Sequence, residues 1–345
     1  MRHYRHYPLI VFTILLLCCT GCRQRLPEPV RLNGKAQGTY YTIAYYDTLQ
    51  RNLQPQIDSL LRSFDLTASL WEDRSLICRV NRNETDTVSP LFADLLQKSL
   101  DMNSFTQGAF DCTVGKLVNA WGFGAAQRSE LTDQQIDSLR QYTGPGQLSL
   151  AYDSTSRQWT LSRQHPETAI DFNAIAQGVT SDLIGDFLLQ HGITNFLVDV
   201  GGEVLAKGCK ADSSAWTVGI ERPAANKYST PEVQLSISLK DLSVVTSGNY
   251  RKYYEKNGTK YSHTIDPSTG HPVQHSLLSV SVVDKTAWRA DALATSFMVM
   301  GLEKGLAFIK DHPDDFGAQR VFFIYNENGE YKTYATPAFQ QLVKE

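Results

Sequence analysis

Leu277-Leu278-Ser279-Val280-Ser281-Val282-Val283 passes, across Asp284-Lys285-Thr286, into Ala287-Trp288-Arg289-Ala290-Asp291-Ala292-Leu293-Ala294-Thr295-Ser296-Phe297-Met298-Val299-Met300-Gly301. The first half is rich in β-branched residues and reads as a strand. The second half has neither Gly nor Pro until Gly301 and reads as a helix ending there. Within it, Asp291 and Thr295 are four residues apart, one turn along the same helix face. A carboxylate and a hydroxyl presented together suit Mg²⁺, a hard cation that takes oxygen ligands and leaves positions open for phosphates. They equally fit a surface pair or a buried hydrogen bond. The helix is strongly apolar, and a carboxylate buried in it would need a cation or hydrogen-bond donors. Upstream, Ser262-His263-Thr264-Ile265-Asp266-Pro267-Ser268-Thr269-Gly270 adds a histidine, an aspartate and a polar turn. Together the two segments suggest Mg²⁺-assisted chemistry on a phosphate ester.

Other stretches alternate between helical and extended patterns. Tyr40–Tyr46, Leu148–Tyr152, Gln158–Ser162, Asn195–Val200, Trp216–Glu221, Val233–Leu239, Leu242–Thr246, Arg320–Tyr325 and Tyr331–Tyr334 read as strands. Lys256-Asn257-Gly258 and Asn328-Gly329 mark hairpin turns. Gln54–Phe64, Pro90–Phe105 and Ala174–Gln190 carry helical spacing, and Thr132 opens another helix as an N-cap. Pro337–Val343 reads as a short helix. Strands and helices do not alternate regularly, which predicts an α+β fold, with mixed sheets flanked by helices, over a doubly wound parallel sheet. There is no Gly-x-Gly-x-x-Gly after a strand and no Walker-type loop, so a nucleotide must be held by some other cradle.

The N-terminus reads as a targeting segment. Arg2 and Arg5 precede an apolar run from Leu9 to Cys19, then Thr20-Gly21-Cys22. The run is too short to span a bilayer, which takes about 20 residues. Cys19-Thr20-Gly21-Cys22 resembles a bacterial lipobox. The expected organisation is a lipoprotein signal over 1–21, a tether over 22–35 beginning at a lipidated Cys22, and one folded unit over 36–345. The mature chain would then be a lipid-anchored protein of the bacterial cell envelope, facing the periplasm. Cys78, Cys112 and Cys209 remain in the body, too few and too odd in number for a disulfide framework. Losing residues 1–21 moves the formal charge from −3 to −5, because Arg2 and Arg5 leave and no acid does. Nothing suggests a nucleic-acid partner, which would call for a basic patch.

Four further segments carry polar chemistry, each with a plainer reading. Thr106-Gln107-Gly108-Ala109-Phe110-Asp111-Cys112-Thr113-Val114-Gly115, continuing to Trp121-Gly122-Phe123-Gly124, offers glycines for close approach and aromatic faces for stacking, or simply a turn and core packing. Asp171-Phe172-Asn173 either caps the following helix or faces a ligand at its start. Asp199-Val200-Gly201-Gly202-Glu203 is a sharp bend or a close backbone approach. Thr246-Ser247-Gly248-Asn249-Tyr250 presents donors for phosphate oxygens or forms a polar turn.

Taken in order from about Gly34 to Gly301, these blocks resemble the FAD:protein FMN transferases, the ApbE-type flavin transferases. The resemblance rests on Gly38-Thr39, Gly108-Ala109-Phe110-Asp111, Val114-Gly115, Trp121-Gly122-Phe123-Gly124, Asp171, Gly178, Gly201-Gly202-Glu203, Thr246-Ser247-Gly248, His263, Ile265-Asp266-Pro267, Thr269-Gly270 and Ala290-Asp291. It implies a compact unit of two closely joined subdomains with the site between them. It further implies Mg²⁺-dependent transfer of FMN from FAD to a Ser or Thr hydroxyl of a target protein, forming a phosphodiester and releasing AMP. Implied targets are flavin-carrying subunits of Rnf-type or Na⁺-translocating NADH:quinone reductase complexes. The implied metal ligands are the Ala174 carbonyl, Asp291 and Thr295. The implied FAD contacts are Gln37, Trp71, Ala109, Phe110, Asp111, Asp171, Gln177 and Ile265. His263 falls where the family has its candidate base, and Asp291 could also help the proton leave. Gln37 and Gln177 depart from the family, which often has Met and Lys or Glu there. The same site could serve an Mg²⁺-dependent FAD pyrophosphatase or a non-catalytic flavin-binding lipoprotein.

Overall fold

The computed structural model describes residues 28–124, 131–223, 232–249, 253–256 and 259–344, with backbone alone for 253–256 and 259–261. The signal segment, Cys22, the Asn257-Gly258 turn and Tyr250 lie outside the described residues. In chain order the strands are β1 (Val30–Ala36), β2 (Thr39–Tyr45), β3 (Thr87–Val88), β4 (Leu148–Asp153), β5 (Gln158–Arg163), β6 (Phe196–Val200), β7 (Glu203–Lys207), β8 (Trp216–Glu221), β9 (Val233–Leu239), β10 (Leu242–Gly248), β11 (Tyr253–Lys256), β12 (Thr259–Ser262), β13 (Leu277–Asp284), β14 (Val321–Glu327) and β15 (Glu330–Ala335). The helices are α1 (Gln54–Ala68), α2 (Leu76–Asn81), α3 (Pro90–Phe105), α4 (Gly115–Ala120), α5 (Asp133–Arg140), α6 (Ala176–Gln190), α7 (Ala287–Asp311) and α8 (Pro337–Gln340).

Eight strands form one antiparallel sheet in the order β1-β2-β6-β7-β10-β13-β14-β15. Its central strands are apolar on both faces because both faces are covered. Val245, Val280, Val282, Val321 and Phe323 point into a core shared with α2, α3 and α7. Their neighbours Val244, Val283, Phe322 and Ile324 point the other way, against the β8–β9 hairpin and Phe339 of α8. Tyr41, Ile43 and Tyr45 of β2 join Ile57 and Leu61 of α1 and Ile184 and Leu188 of α6. The period-2 alternation of strands therefore sorts neighbouring residues onto the two faces of the sheet. The α+β reading holds.

Several expectations change. Residues 30–35, read as the end of a tether, form most of β1, which pairs along β2 from Val30↔Tyr45 to Ala36↔Thr39. Leu32 and Ala36 are buried while Arg31, Asn33 and Lys35 face outward, the signature of an edge strand that the polar side chains disguise. The Gly201-Gly202 bend is a hairpin turn between β6 and β7, with φ of 70° and 112° and Val200 paired to Glu203. The helix expected to stop at Gly301 kinks there instead, at φ 75° and ψ 178°, and continues to Asp311. His275 Nε2 donates to the Met298 carbonyl at 2.7 Å, just before the kink. Cys78, Cys112 and Cys209 are free thiols, and Cys112 is buried.

Candidate active site

Two helix N-termini meet at the centre of the site. α6 opens at Ala176 behind Ile175, whose side chain caps nothing. α7 opens at Ala287 behind Thr286, also without a side-chain cap. A helix start leaves backbone N–H groups without partners in its own first turn. Here each helix supplies the other's. Asp291 Oδ2 accepts the Gly178 N–H of α6 at 3.1 Å. Asp182 of α6 accepts Ala287 N–H on Oδ1 and Trp288 N–H on Oδ2, both at 2.9 Å. Gly178 makes this contact possible. A Cβ there would lie 2.5 Å from the Ala287 carbonyl oxygen and 2.7 Å from Trp288 Cα.

Asp291 is 6% exposed, and burial pushes its carboxyl up to about 7, with the Asp182 charge adding to the effect and the Gly178 N–H opposing it. Asp182 is raised to about 6 by burial, against its two helix N–H donors. Thr295, one turn beyond Asp291, places its Oγ1 3.4 Å from Ser247 Oγ at the end of β10. Ala174 is half-buried two residues before α6. Asp291 is thus tied to the start of α6, which Ala174 precedes by two residues, and Thr295 to the end of β10. Carboxylate, hydroxyl and backbone carbonyl are all hard oxygen donors, which fits Mg²⁺ and not a soft thiophilic ion. No salt bridge to Asp291 is formed among the described residues, and a buried carboxylate without a cationic partner is what a metal would complete. Among the described residues no group of three or more His, Cys, Asp or Glu forms an alternative metal cluster.

A second polar group lies along α6. Gln37, with φ 51° in the β1–β2 turn, donates from Nε2 to Thr180 Oγ1 at 2.6 Å. Its Oε1 is buried with no hydrogen-bond partner among the described residues. The Gln177 amide lies against Gly201, where a Cβ would come within 2.3 Å of Nε2. Gln37 and Gln177 therefore share one side of α6 with the β6–β7 turn.

A third group holds the other expected contacts. Asp111 Oδ1 accepts Thr113 N–H at 2.7 Å and Thr113 Oγ1 at 2.6 Å, and burial raises its carboxyl. Asp171 N–H donates to the Cys112 carbonyl at 2.7 Å, drawing the two aspartates' segments together. Asp171 is 7% exposed and raised by burial to about 6. Its Oδ1 accepts Asn173 N–H at 2.8 Å, so it braces its own turn. Neither Asp171 nor Asn173 caps α6, because that helix begins beyond them at Ala176.

His263 is half-buried, its ring 6.4 Å from that of Phe123. Trp121 Nε1 donates to the Gly270 carbonyl at 2.8 Å, tying the Trp121-Gly122-Phe123-Gly124 block to the Asp266–Gly270 turn. Thr264 Oγ1 donates to Asn249 Oδ1 at 3.1 Å, two residues beyond Ser247, so the His263 segment is anchored beside the end of β10. Asp266 stitches its turn by accepting Ser268 N–H and Oγ.

Three contacts differ from expectation. The Phe110 ring is buried in the main core and is no stacking platform; its carbonyl accepts Asn103 Nδ2 at 2.8 Å beside Ala109. The Ile265 side chain packs on Leu117 and Ile136, leaving only its backbone for a ligand. Trp71 stands on the α1–α2 loop with its ring 64% exposed and not packed into the core. Sequence reasoning missed Asp182 and Asn81, which brackets Ile170 by accepting its N–H and donating to its carbonyl, both at 2.8 Å. A mid-helix Asp and a helix-end Asn look like surface residues until their partners are seen.

Residues 37–319 match the model of the ApbE family. A FAD:protein FMN transferase of Vibrio cholerae is 34% identical, the match covering 98% of this chain and 99% of that protein. One of Escherichia coli is 32% identical over 94% of this chain and 93% of its own length. The solved structure of the flavin transferase ApbE from Vibrio cholerae superposes with a TM-score of 0.77 at 35% identity, covering 91% of this chain and 99% of that one. The flavinyl transferase ApbE of Pseudomonas stutzeri does so with a TM-score of 0.79 at 31% identity, covering 91% and 96%. With the family model spanning most of its length and these relatives covering it nearly end to end, the chain belongs to the ApbE family.

Proposed function

We propose that this chain transfers FMN from FAD to a Ser or Thr hydroxyl of a target protein, with Mg²⁺ and with release of AMP. The observation that carries this reading is the buried carboxylate of Asp291, which takes the Gly178 N–H at the start of α6 and has no salt-bridge partner among the described residues. A buried carboxylate favours a divalent cation, and a helix start beside it favours the phosphate groups of FAD. Asp291, Thr295 and the Ala174 carbonyl would hold Mg²⁺. When bound, that ion neutralises charge developing on the pyrophosphate.

The chain's own residues do the rest. Gln37, whose buried Oε1 has no donor among the described residues, and Gln177, beside Gly201, would line one side of the FAD cleft. Ala109, Phe110 and Ile265 offer backbone to it, Asp111 and Asp171 offer carboxyls, and Trp71 offers an exposed ring. His263 takes the proton of the acceptor hydroxyl as its oxygen bonds to the FMN phosphorus. The bond from that phosphorus to the AMP phosphate breaks. A neutral imidazole suits the task because its ordinary pKa lies near neutrality.

The chain is further proposed to be anchored through a lipid on Cys22 and to act at the periplasmic face of the cell envelope, a reading supported by the Cys19-Thr20-Gly21-Cys22 pattern. The first acceptors to try are flavin-carrying subunits of Rnf-type and Na⁺-translocating NADH:quinone reductase complexes. Mass spectrometry of such a subunit, incubated with FAD, Mg²⁺ and the protein, tests the reading. A mass gain equal to FMN on Ser or Thr, absent without Mg²⁺, is the expected result. Free FMN and AMP with every acceptor tried unlabelled would point to a pyrophosphatase, and intact bound FAD to a flavin carrier.

A further inference from the structure

Asp182 lies one helical turn beyond Gly178 on α6, so both face α7. It is half of a reciprocal arrangement. Asp182 accepts the first two N–H groups of α7, and Asp291, one turn into α7, accepts the Gly178 N–H of α6. Thr286, at the N-cap of α7, makes no side-chain cap, so the capping of α7 comes from another helix. A carboxylate using both oxygens on consecutive N–H groups fixes direction as well as distance. Any drift of α7 along α6 must break both bonds at once. The same drift would carry Asp291 and Thr295 away from Ala174, which is fixed to α6.

We infer that Asp182 is a positioning residue for the metal site, setting the register in which Asp291 and Thr295 of α7 meet the Ala174 carbonyl ahead of α6. The inference rests on the Mg²⁺ reading proposed above. Groups that orient metal ligands without touching the metal are commonly worth 10- to 100-fold in metal affinity.

The test titrates Mg²⁺ alone into the full chain, by calorimetry and by thermal unfolding, for wild type, Asp182→Asn, Asp182→Ala and Asp182→Ala with Thr286→Asp. Asp182→Asn keeps one carbonyl acceptor at nearly the same volume, so it carries the test where Asp182→Ala fails to fold. The expected result is Mg²⁺ binding weakened about 10- to 100-fold in the Asp182 variants. Thr286→Asp gives α7 a local cap. It should recover metal-free melting temperature while leaving Mg²⁺ binding weak, because a local cap does not tie α7 to α6. Recovery of both together would reduce Asp182 to an ordinary helix cap and overturn the inference. Mg²⁺ binding unchanged in the Asp182 variants would overturn it too, with the Mg²⁺ reading intact. A wild-type chain that binds no Mg²⁺ would remove the Mg²⁺ reading and the inference with it.

Discussion

At Asp291 two demands oppose each other. Burial raises its carboxyl to about 7, so the metal-free residue prefers a proton near neutrality. The proposed metal needs the charged form, so proton and Mg²⁺ would compete for the same oxygens. Mg²⁺ affinity should therefore rise with pH up to about 7, close to tenfold per unit at the acid end, and level off above. Calorimetric titrations at a series of pH values check this, and a flat profile would remove Asp291 from the ligand set. His263, the proposed base, faces a different demand, since it would act on the acceptor and not on the metal. His263→Ala should lower kcat about 100-fold or more with little change in KM for FAD. Steady-state kinetics with an acceptor domain read the two separately, and a loss shared equally between them would make His263 a binding residue instead.

The contact between α6 and α7 depends on one missing side chain. Gly178→Ala drives a methyl group into Ala287 and Trp288 backbone that cannot yield without moving α7. The expected cost is about 1–3 kcal/mol in denaturant unfolding, with Mg²⁺ binding weakened in parallel. A variant with wild-type stability and Mg²⁺ affinity would show that the two helix starts are free to separate. Legibility in the sequence followed the same physics. β13, β14 and the first half of α7 were readable because burial on both sheet faces or along a helix stripe leaves an unmistakable apolar pattern. β1 was not, because an edge strand with Arg31, Asn33 and Lys35 outward resembles a linker. Gly301 read as a stop because glycine usually ends helices, while the His275 bond just before the kink comes from a distant segment. Asp291, Thr295 and His263 stand out as candidates from local patterns alone. Asp182 does not, since its function exists only where a second helix arrives. The rings of Phe110 and Ile265's side chain misled for the converse reason, as nothing local marks them as core.

Across the whole molecule the buried carboxylates act in concert on stability. Asp171, Asp182 and Asp291 are raised by burial to about 6, about 6 and about 7, from an ordinary value of 3.8. The folded chain thus holds protons that the unfolded chain has already released between about pH 4 and about pH 7. Stability supplied by those protonated forms is lost as pH rises through that window. Asp47 works in the opposite sense, because the Arg51 hydrogen bond holds it down to about 2, and its contribution is lost only below about pH 4. The metal-free protein should therefore melt at a lower temperature at about pH 8 than at about pH 5. Mg²⁺ held at Asp291, as proposed, would offset the charge cost there directly, so it should raise the melting temperature more at the higher pH, where no proton competes. Asp291→Asn should flatten part of the metal-free decline and abolish the Mg²⁺ increment. Calorimetric scans of both proteins at the two pH values, with and without Mg²⁺, decide the matter. A wild-type increment of equal size at both pH values would show that the ion binds away from these carboxylates.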